Sequence, residues 1–454
     1  MTTVSEVKHG GLPAVEQRPV MPAGFKAGGM AVGIKASGRP DLAVVVTTDG
    51  PASVAAVFTP NTFAAAPVRL SRAHLAATSG DPRGGFGLAE AIISTSGSAN
   101  AATGEAGDAD QLEIAAMLAE ATSTVQERTL HLSTGIIGTR LPLDRVRDGL
   151  AALVPALAAT DDAWLATAEA LRTTDSKTKV ATTTVELADA DGRPVVTTVS
   201  GIAKGVGMIH PQMATMLSIV LTDATVAPET LWGLLRPAAA RTWNQLSVDG
   251  DTSTNDTVFV LASGAAGGAP VEPGSPAAAE LGAAIEAVAR DLARQQAADG
   301  EGASTLIRAV ATGARDDAEA RAIARSVVCS SLVKAAAHGR DPNWGRIAGA
   351  AGNAQLASAA VLEAAGLPAA EATVRAGTPA ILDPSKLRIA IAGYLVFDGG
   401  QGGPIAFDRD AAREAMNAPE LVLALDLGLG SGSGEAFGCD LTEAYVIENS
   451  EYTT

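Results

Sequence analysis

An unusual segment lies near the middle of this chain. Residues 201–217 read GIAKGVGMIHPQMATML, and residues 218–223 continue as SIVLTD. The segment places Lys204 among glycines, passes through Pro211 and enters an apolar run that is typical of a buried strand. Thr215 is an early polar residue of that run. A threonine at the head of a strand is most often structural, because β-branched side chains favour strands.

The alternative interpretation of Thr215 is chemical. If the Thr215 hydroxyl attacks the carbonyl carbon of Ala214, the peptide bond between them breaks and a new chain begins with threonine. The new α-amino group would titrate near pH ~8 and can take the proton of its own hydroxyl. The residues alone leave both readings open, a structural threonine and a self-generated nucleophile.

A second candidate element follows a predicted strand at residues 129–132. Residues 133–138 read STGIIG, so that the Thr134 hydroxyl and the Gly135 N–H meet at a tight turn. Such donors can hold the negative oxygen of a tetrahedral intermediate, and each contributes ~3 to 4 kcal/mol where this has been measured. The alternative is an ordinary exit from a strand into a turn.

The composition limits the class of protein. The 454 residues include 33 Lys and Arg against 50 Asp and Glu, a formal net charge of −17, which argues against nucleic acid or an anionic membrane as a partner. The sequence contains no apolar run of ~18 residues and no apolar core of the signal-peptide type, which predicts a cytoplasmic protein without a membrane span. The length suggests two or three compact units, or one large one.

Recognisable cofactor motifs are missing from the sequence. Cys329 and Cys439 are too few for a disulfide framework or a cysteine-built zinc site, and the five histidines are far apart. No phosphate-loop or G-x-S-x-G motif occurs, and the glycine-rich residues 428–434 are expected to form a loop or bulge. We therefore expect no protein-bound metal.

The order of predicted elements favours an α+β layered sandwich over a doubly wound sheet. Helical periodicity covers residues 144–173, and Ser275-Pro276 predicts the start of an amphipathic helix that ends near Gln296. Strands are predicted at residues 42–47, 53–58, 91–95 and 129–132, with a hairpin formed by 179–188 and 195–200.

The segments around Thr134 and Thr215 together resemble the ornithine acetyltransferase family, whose bifunctional members are also glutamate N-acetyltransferases. Further similar stretches follow in family order, from about Gly24 to Thr454. They are GFKAGG at 24–29, GIK at 33–35, DLA at 41–43, AVFT at 56–59, TTD at 173–175, VDGDTSTND at 248–256, GEGA at 300–303, DPNWGR at 341–346 and GCDLT at 438–442.

The resemblance implies an α/β/β/α-type sandwich and an enzyme that cleaves itself between Ala214 and Thr215. An alpha chain of residues 1–214 and a beta chain of residues 215–454 would then share one core. Thr215 is similar to the family's nucleophile, and Thr134 with Gly135 to its oxyanion hole. The positions that resemble the family's substrate-binding residues are Thr173, Lys204, Thr215, Glu301, Asn449 and Thr454.

The reaction implied by the resemblance is transfer of acetyl from N-acetylornithine to glutamate, in arginine biosynthesis, through an acetyl-threonine intermediate. Lys204 suits a substrate carboxylate, and Glu301 suits an amine. No metal or prosthetic group is needed, although acetyl-CoA is a candidate co-substrate. The resemblance also suggests a heterotetramer of two alpha and two beta chains.

The chain departs from the family pattern near these motifs. His210 and Gln212 stand where the family usually has Ala and often Asn, Thr95 and Ser98 replace two asparagines, and Thr305 replaces a lysine. The nucleophile and the oxyanion pair are kept, so acyl transfer is expected while the acceptor stays open. The alternatives are a paralogue in specialised metabolism with another amino-acid acceptor, a self-processing amidohydrolase or aminopeptidase, and a non-catalytic paralogue.

Overall fold

The chain is built around three β-sheets. The computed structural model describes residues 11–210 and 216–450. The strands are β1 (Phe25–Met30), β2 (Leu42–Thr47), β3 (Ala52–Phe58), β4 (Phe86–Ala89), β5 (Ala91–Ser98), β6 (Thr129–Ile136), β7 (Lys179–Ala188), β8 (Pro194–Lys204), β9 (Leu217–Thr222), β10 (Leu246–Ser247), β11 (Thr257–Ala262), β12 (Leu306–Ala314), β13 (Arg388–Ile391), β14 (Tyr394–Asp398), β15 (Gly403–Pro404), β16 (Glu420–Asp426) and β17 (Gly432–Cys439).

Helices cover the faces of the sheets. They are α1 (Ala66–Ser79), α2 (Gly104–Thr122), α3 (Leu143–Leu153), α4 (Asp161–Leu171), α5 (Pro228–Arg241), α6 (Pro276–Ala298), α7 (Asp317–Cys329), α8 (Ser331–His338), α9 (Trp344–Gly352), α10 (Ala359–Ala364), α11 (Ala369–Arg375), α12 (Arg409–Ala415) and α13 (Glu443–Ser450). Within the described residues, no helix is both long and apolar enough to cross a membrane.

Two of the sheets pack face to face. One has four strands in the order β1-β2-β5-β6, and the other has six in the order β4-β3-β11-β9-β8-β7. Because side chains alternate between the two faces of a strand, each sheet contributes one apolar face to a common core. Val45 and Leu132 of the first sheet meet Ile219 and Phe259 of the second in that core.

Helices form the two outer layers. Leu118 of α2 and Leu150 of α3 pack with Val44 on the outer face of the four-stranded sheet. Leu235 of α5 and Ile285 of α6 belong to the core on the outer face of the six-stranded sheet. These two sheets and their helices therefore form the α/β/β/α sandwich that the resemblance implied.

The helical stretch expected at residues 144–173 is two helices. Helix α3 ends at Leu153, and Pro155 lies in a short 3₁₀ turn before α4 begins. Proline lacks the N–H that a continuing helix needs. Thr160 then caps α4, because its side-chain oxygen accepts a hydrogen bond from the N–H of Ala163.

The third sheet lies in the second half of the chain, where no strands were expected. Its seven strands run in the order β10-β17-β12-β16-β13-β14-β15. The glycine-rich residues 428–434, expected to be a loop or bulge, lead into β17 at Gly432. A Cβ at Gly432 would lie 2.2 Å from the carbonyl carbon of Asp316, so glycine lets the strand pass close to the start of α7.

Strands from both sides of residue 214 are interleaved in the six-stranded sheet. Strands β9 and β11 lie between β3 and β8. Leu217, the first residue of β9, is paired with Lys204, the last residue of β8. The division into chains of residues 1–214 and 215–454 stays a prediction, but the sheet contains strands from both parts.

Candidate active site

A cavity lies where β6 and β8 end. Its volume of about 310 Å³ falls in the lower part of the size range of small-molecule sites. Its walls also include the loop after α4, residues 253–255 and the start of the loop after α6. Six residues selected from the sequence line it: Thr134, Gly135, Thr173, Lys204, Glu301 and Asn449. Ala214, Thr215 and Thr454 lie outside the described residues.

Strand β6 carries Thr134 and Gly135 to the cavity. The strand continues to Ile136, four residues beyond the predicted exit. Gly135 has φ +125°, a conformation that side chains rarely adopt, and a Cβ there would lie 2.4 Å from the carbonyl carbon of Gly97 on β5. Glycine is therefore required where the two strands meet. The oxyanion-hole role of Thr134 and Gly135 stays a prediction.

Asn255 binds the backbone next to these two residues, at Ser133 on β6 and at Ala99 just after β5. Its Nδ2 donates to the carbonyl oxygen of Ala99 at 2.6 Å and to that of Ser133 at 2.8 Å. Its Oδ1 accepts a hydrogen bond from the Thr254 hydroxyl at 2.7 Å. Asn255 lies in the VDGDTSTND stretch, which carried the family resemblance without a role for each residue. The sequence offered no further signal for it.

Lys204 places its side-chain amine at the cavity wall. Burial lowers the pKa of Lys204, while the nearby carboxyl groups of Asp175, Asp256 and Glu301 raise it. The Lys204 ammonium forms no ion pair with another described residue. It is thus suited to bind a substrate carboxylate.

Glu301 bridges two elements of the cavity. Its Oε1 accepts a hydrogen bond from the Thr174 hydroxyl at 2.8 Å, and its Oε2 accepts one from Asn449 Nδ2 at 2.9 Å. A Cβ at Gly207 would lie 2.2 Å from Glu301 Oε2, so this glycine makes room for the carboxylate. Glu301 therefore presents a negative charge at a fixed place beside the Lys204 ammonium.

Residues 208–210 are held by the loop that follows β10. The Asp249 carboxylate accepts hydrogen bonds from the N–H groups of Met208 and Ile209, the latter at 2.9 Å. His210 Nδ1 lies 3.1 Å from the Ser247 hydroxyl, and burial, with the charge of Arg325, lowers the pKa of His210 to about 4. The departure from the family pattern at His210 thus places a neutral, anchored imidazole at the last described residue before Pro211.

The other departures lie behind the cavity. Thr95 Oγ1 is 2.9 Å from the Ser133 hydroxyl, and Ser98 Oγ donates to the Thr139 carbonyl oxygen at 2.7 Å. Thr305 is buried, and its N–H donates to Asp440 at 2.9 Å. None of these three side chains lines the cavity, and Gln212 lies outside the described residues.

His131 is buried on β6. Its burial should make the free energy of unfolding depend on pH. Its Nε2 lies 2.9 Å from the Thr129 hydroxyl and its Nδ1 lies 3.1 Å from Gln111 Nε2. Burial, with the neighbouring His74, lowers the pKa of His131 to about 3, against ~6.5 in an unfolded chain. A histidine that is buried in its neutral form stabilises the fold above the unfolded pKa, and this contribution is lost as the pH falls towards the folded pKa.

We therefore expect the free energy of unfolding to fall between pH ~6.5 and ~3, with a contribution from His131 of at most about 1.4 kcal/mol per pH unit. The His131→Gln variant should show a shallower fall in urea unfolding measured over this range. His338→Gln, at a half-exposed position, is the control. Equal slopes in wild type and His131→Gln would contradict the assignment.

Metal binding has no support in the described residues. Residues 11–210 and 216–450 contain no group of three or more His, Cys, Asp or Glu side chains arranged to hold an ion. The expectation of a metal-free, cofactor-free protein stays a prediction.

Fold and site define a class: an α/β/β/α sandwich with a small-molecule cavity lined by hydroxyl, amide, ammonium and carboxylate groups. Residues 26–454 match the ArgJ family. The arginine biosynthesis bifunctional protein ArgJ of Synechococcus sp. is 41% identical over 442 residues, covering 95% of this chain and 96% of that protein. The protein of the same name from Thermus thermophilus is 41% identical over 434 residues, covering 96% and 99%.

Solved structures of related proteins match parts of the chain. The arginine biosynthesis bifunctional protein argJ of Bacillus halodurans is 37% identical and covers 52% of this chain and 99% of its own, with a TM-score of 0.45. The ornithine acetyltransferase of Mycobacterium tuberculosis, complexed with ornithine, is 37% identical and covers 44% and 99%, with a TM-score of 0.38. On the evidence of its near full-length relatives, the chain belongs to the ArgJ family, that of the bifunctional proteins of arginine biosynthesis, which confirms the resemblance.

Proposed function

We propose that this protein transfers the acetyl group of N-acetylornithine to glutamate through an acetylated threonine. The observation that carries the proposal is a cavity lined by Thr134, Gly135, Thr173, Lys204, Glu301 and Asn449 together. These residues come from distant parts of the sequence. All the oxyanion-hole and substrate-binding positions drawn from the resemblance meet there, so far as the chain is described.

The proposed nucleophile is Thr215, freed by cleavage of its own peptide bond. Its hydroxyl attacks the carbonyl carbon of Ala214, the C–N bond breaks, and water hydrolyses the resulting ester to leave a carboxylate on Ala214 and a free threonine amine. The amine then serves as the general base for the hydroxyl of the same residue.

The transfer proceeds in two half-reactions. The Thr215 hydroxyl gives its proton to its amine and attacks the acetyl carbonyl, and the negative oxygen of the intermediate lies against Thr134 and the Gly135 N–H. Ornithine leaves with that proton, and acetyl remains as an ester on Thr215. The neutral amine of glutamate attacks this ester, gives up a proton and leaves as N-acetylglutamate, while the Thr215 hydroxyl is restored.

The cavity's two charges can orient these substrates. N-acetylornithine and glutamate both carry an α-carboxylate, which the Lys204 ammonium can bind. The side-chain ammonium of N-acetylornithine can pair with Glu301. The protein's net charge of −17 repels such carboxylates, so the local cation has to dominate their binding.

The acetyl donor, the absence of a cofactor, the location and the assembly of the proposed enzyme do not depend on the cavity. Acetyl-CoA is a second acetyl donor, as the bifunctional name of the relatives suggests. No metal or resident cofactor takes part. The processed protein is cytoplasmic and assembles as two alpha and two beta chains.

The test combines a gel with an assay. Cleavage before Thr215 gives chains of 214 and 240 residues, about 21 and 24 kDa of the 45.4 kDa total. The cleaved protein should form N-acetylglutamate from N-acetylornithine and glutamate, faster than it releases acetate to water. A cleaved protein that forms none would overturn the proposal. Faster acetylation of another amino acid would instead indicate a paralogue, and hydrolysis unaffected by glutamate an amidohydrolase.

A further inference from the structure

Asp175 is a buried carboxylate to which the sequence and the resemblance assign no role. It follows Thr173 and Thr174 in the loop between α4 and β7, and 1% of its surface is exposed. Its Oδ2 accepts a hydrogen bond from the N–H of Thr173 at 3.2 Å, and its Oδ1 accepts one from the N–H of Gly205 at 2.8 Å. One side chain thus connects two walls of the cavity.

The two backbone segments that Asp175 binds both lie outside regular secondary structure. Thr173 lies in an irregular loop, and Gly205 turns the chain out of β8 with φ +129°. Lys204, immediately before Gly205, is the cavity's ammonium group. Because Asp175 binds the N–H of Gly205, it fixes the end of β8 and with it the position of Lys204 at the cavity wall.

The charges around Asp175 are nearly balanced. Its Oδ1 also accepts a hydrogen bond from Lys179 Nζ at 2.7 Å, and the same ammonium donates to Asp299 at 2.7 Å. Lys179 is therefore shared by two carboxylates, which leaves one negative charge of this cluster to face Lys204. Asp299 binds the N–H groups of Ser176 and Lys177, outside the cavity wall.

We propose that Asp175 is a positioning residue of the substrate site, which fixes the facing backbones of Thr173 and Gly205 and places a counter-charge near Lys204, the group that would bind a substrate carboxylate. This inference rests on the proposed function.

The pH dependence of catalysis follows from the groups that face Lys204. Burial lowers its pKa, the carboxyls of Asp175, Asp256 and Glu301 raise it with Asp175 foremost, and Lys179 lowers it. The ammonium of Lys35 is a further neighbour. Removal of the Asp175 charge therefore lowers the pKa of Lys204 further. The substrate carboxylate binds only the protonated form of Lys204. Substrate binding in a variant without the Asp175 charge should therefore be lost at a lower pH than in the wild type.

The experiment compares Asp175→Asn with Asp299→Asn, since both variants remove one carboxylate from Lys179, but only Asp175 also binds the N–H groups of Thr173 and Gly205. Steady-state rates with N-acetylornithine and glutamate are measured from pH 6 to 10. In Asp175→Asn, we expect KM for both substrates to rise roughly 10- to 100-fold, kcat to change less, and the alkaline limb of kcat/KM to move to lower pH. Asp299→Asn should move this limb less, because Asp299 is not among the charges that act most on Lys204.

A third variant separates charge from geometry. Asp175→Glu keeps the charge but moves it by one methylene, so it should keep the alkaline limb near its wild-type position while KM rises. This variant decides the matter if Asp175→Asn yields no folded, cleaved protein. Unchanged KM and limb in Asp175→Asn, equal changes in Asp299→Asn, or a shifted limb in Asp175→Glu would overturn the inference. An inactive wild type would overturn the proposed function, and this inference with it.

Discussion

Replacement of Thr215 by alanine is expected to leave a single uncleaved chain of 454 residues without measurable acetyl transfer. Alanine has no hydroxyl to attack the preceding carbonyl, and no amine is released to act as a base. Removal of a covalent nucleophile costs roughly 10⁶-fold in kcat where it has been measured. The measurements are a denaturing gel after long incubation and the assay with N-acetylornithine and glutamate.

Thr215→Ser is the matched variant, because serine keeps the hydroxyl and the amine. It should still produce two bands, at a reduced rate, and retain part of the activity. Cleavage that persists in Thr215→Ala would remove Thr215 from its proposed role. A two-band Thr215→Ser protein without transferase activity would show that cleavage and acetyl transfer have different requirements.

Replacement of Gly135 by alanine should reduce acetyl transfer by ~10²- to 10³-fold, the loss expected when an oxyanion donor moves out of place. The added Cβ would lie 2.4 Å from the carbonyl carbon of Gly97, at a residue with φ +125°. Strands β5 and β6 would have to separate, and the N–H of residue 135 would move with them.

Gly138→Ala, in the turn that follows β6, provides the control. Gly138 also has a positive φ of +85°, but a Cβ added there would have no described neighbouring atom within 4 Å. This variant therefore carries the conformational cost without the contact, and it should keep near wild-type kcat. If both alanine variants lost activity to the same extent, the close approach to Gly97 would not be the cause.

Local sequence patterns predicted several individual helices and strands. The start of α6 at Ser275-Pro276 is confirmed, because the Ser275 hydroxyl accepts a hydrogen bond from the N–H of Ala278 at 3.1 Å. The hairpin of β7 and β8 is also confirmed, with β8 extending to Lys204. Both features depend on neighbouring residues, which periodicity and capping rules describe.

The seven-stranded sheet could not be predicted in the same way. Strand β12 pairs with β16 and β17, whose residues are more than a hundred positions away, as in the pairing of Leu306 with Glu420. Strand β13 has only four residues, and β17 is rich in glycine. Such segments are strands because of their partners rather than their own propensity.

The residues of the site were likewise predictable only in part. The resemblance identified Thr134, Lys204 and Glu301 by position, and the structure brings them to one cavity. Asn255 and Asp175 stood in the same quoted stretches without a role. Their importance comes from hydrogen bonds to Ser133 and to Gly205, and a sequence does not show which distant backbone groups a side chain will meet.

The interleaved six-stranded sheet affects how the protein could refold before and after cleavage. Strand β9 begins just after the proposed cut, yet it lies between β8 and β11 in the middle of the sheet. The uncut chain can assemble this sheet in a unimolecular reaction. Once cut and denatured, the two pieces must find each other, so recovery becomes second order and depends on dilution. Cleavage would thus turn a chain whose refolding rate does not depend on concentration into a pair of chains that recombine slowly in dilute solution.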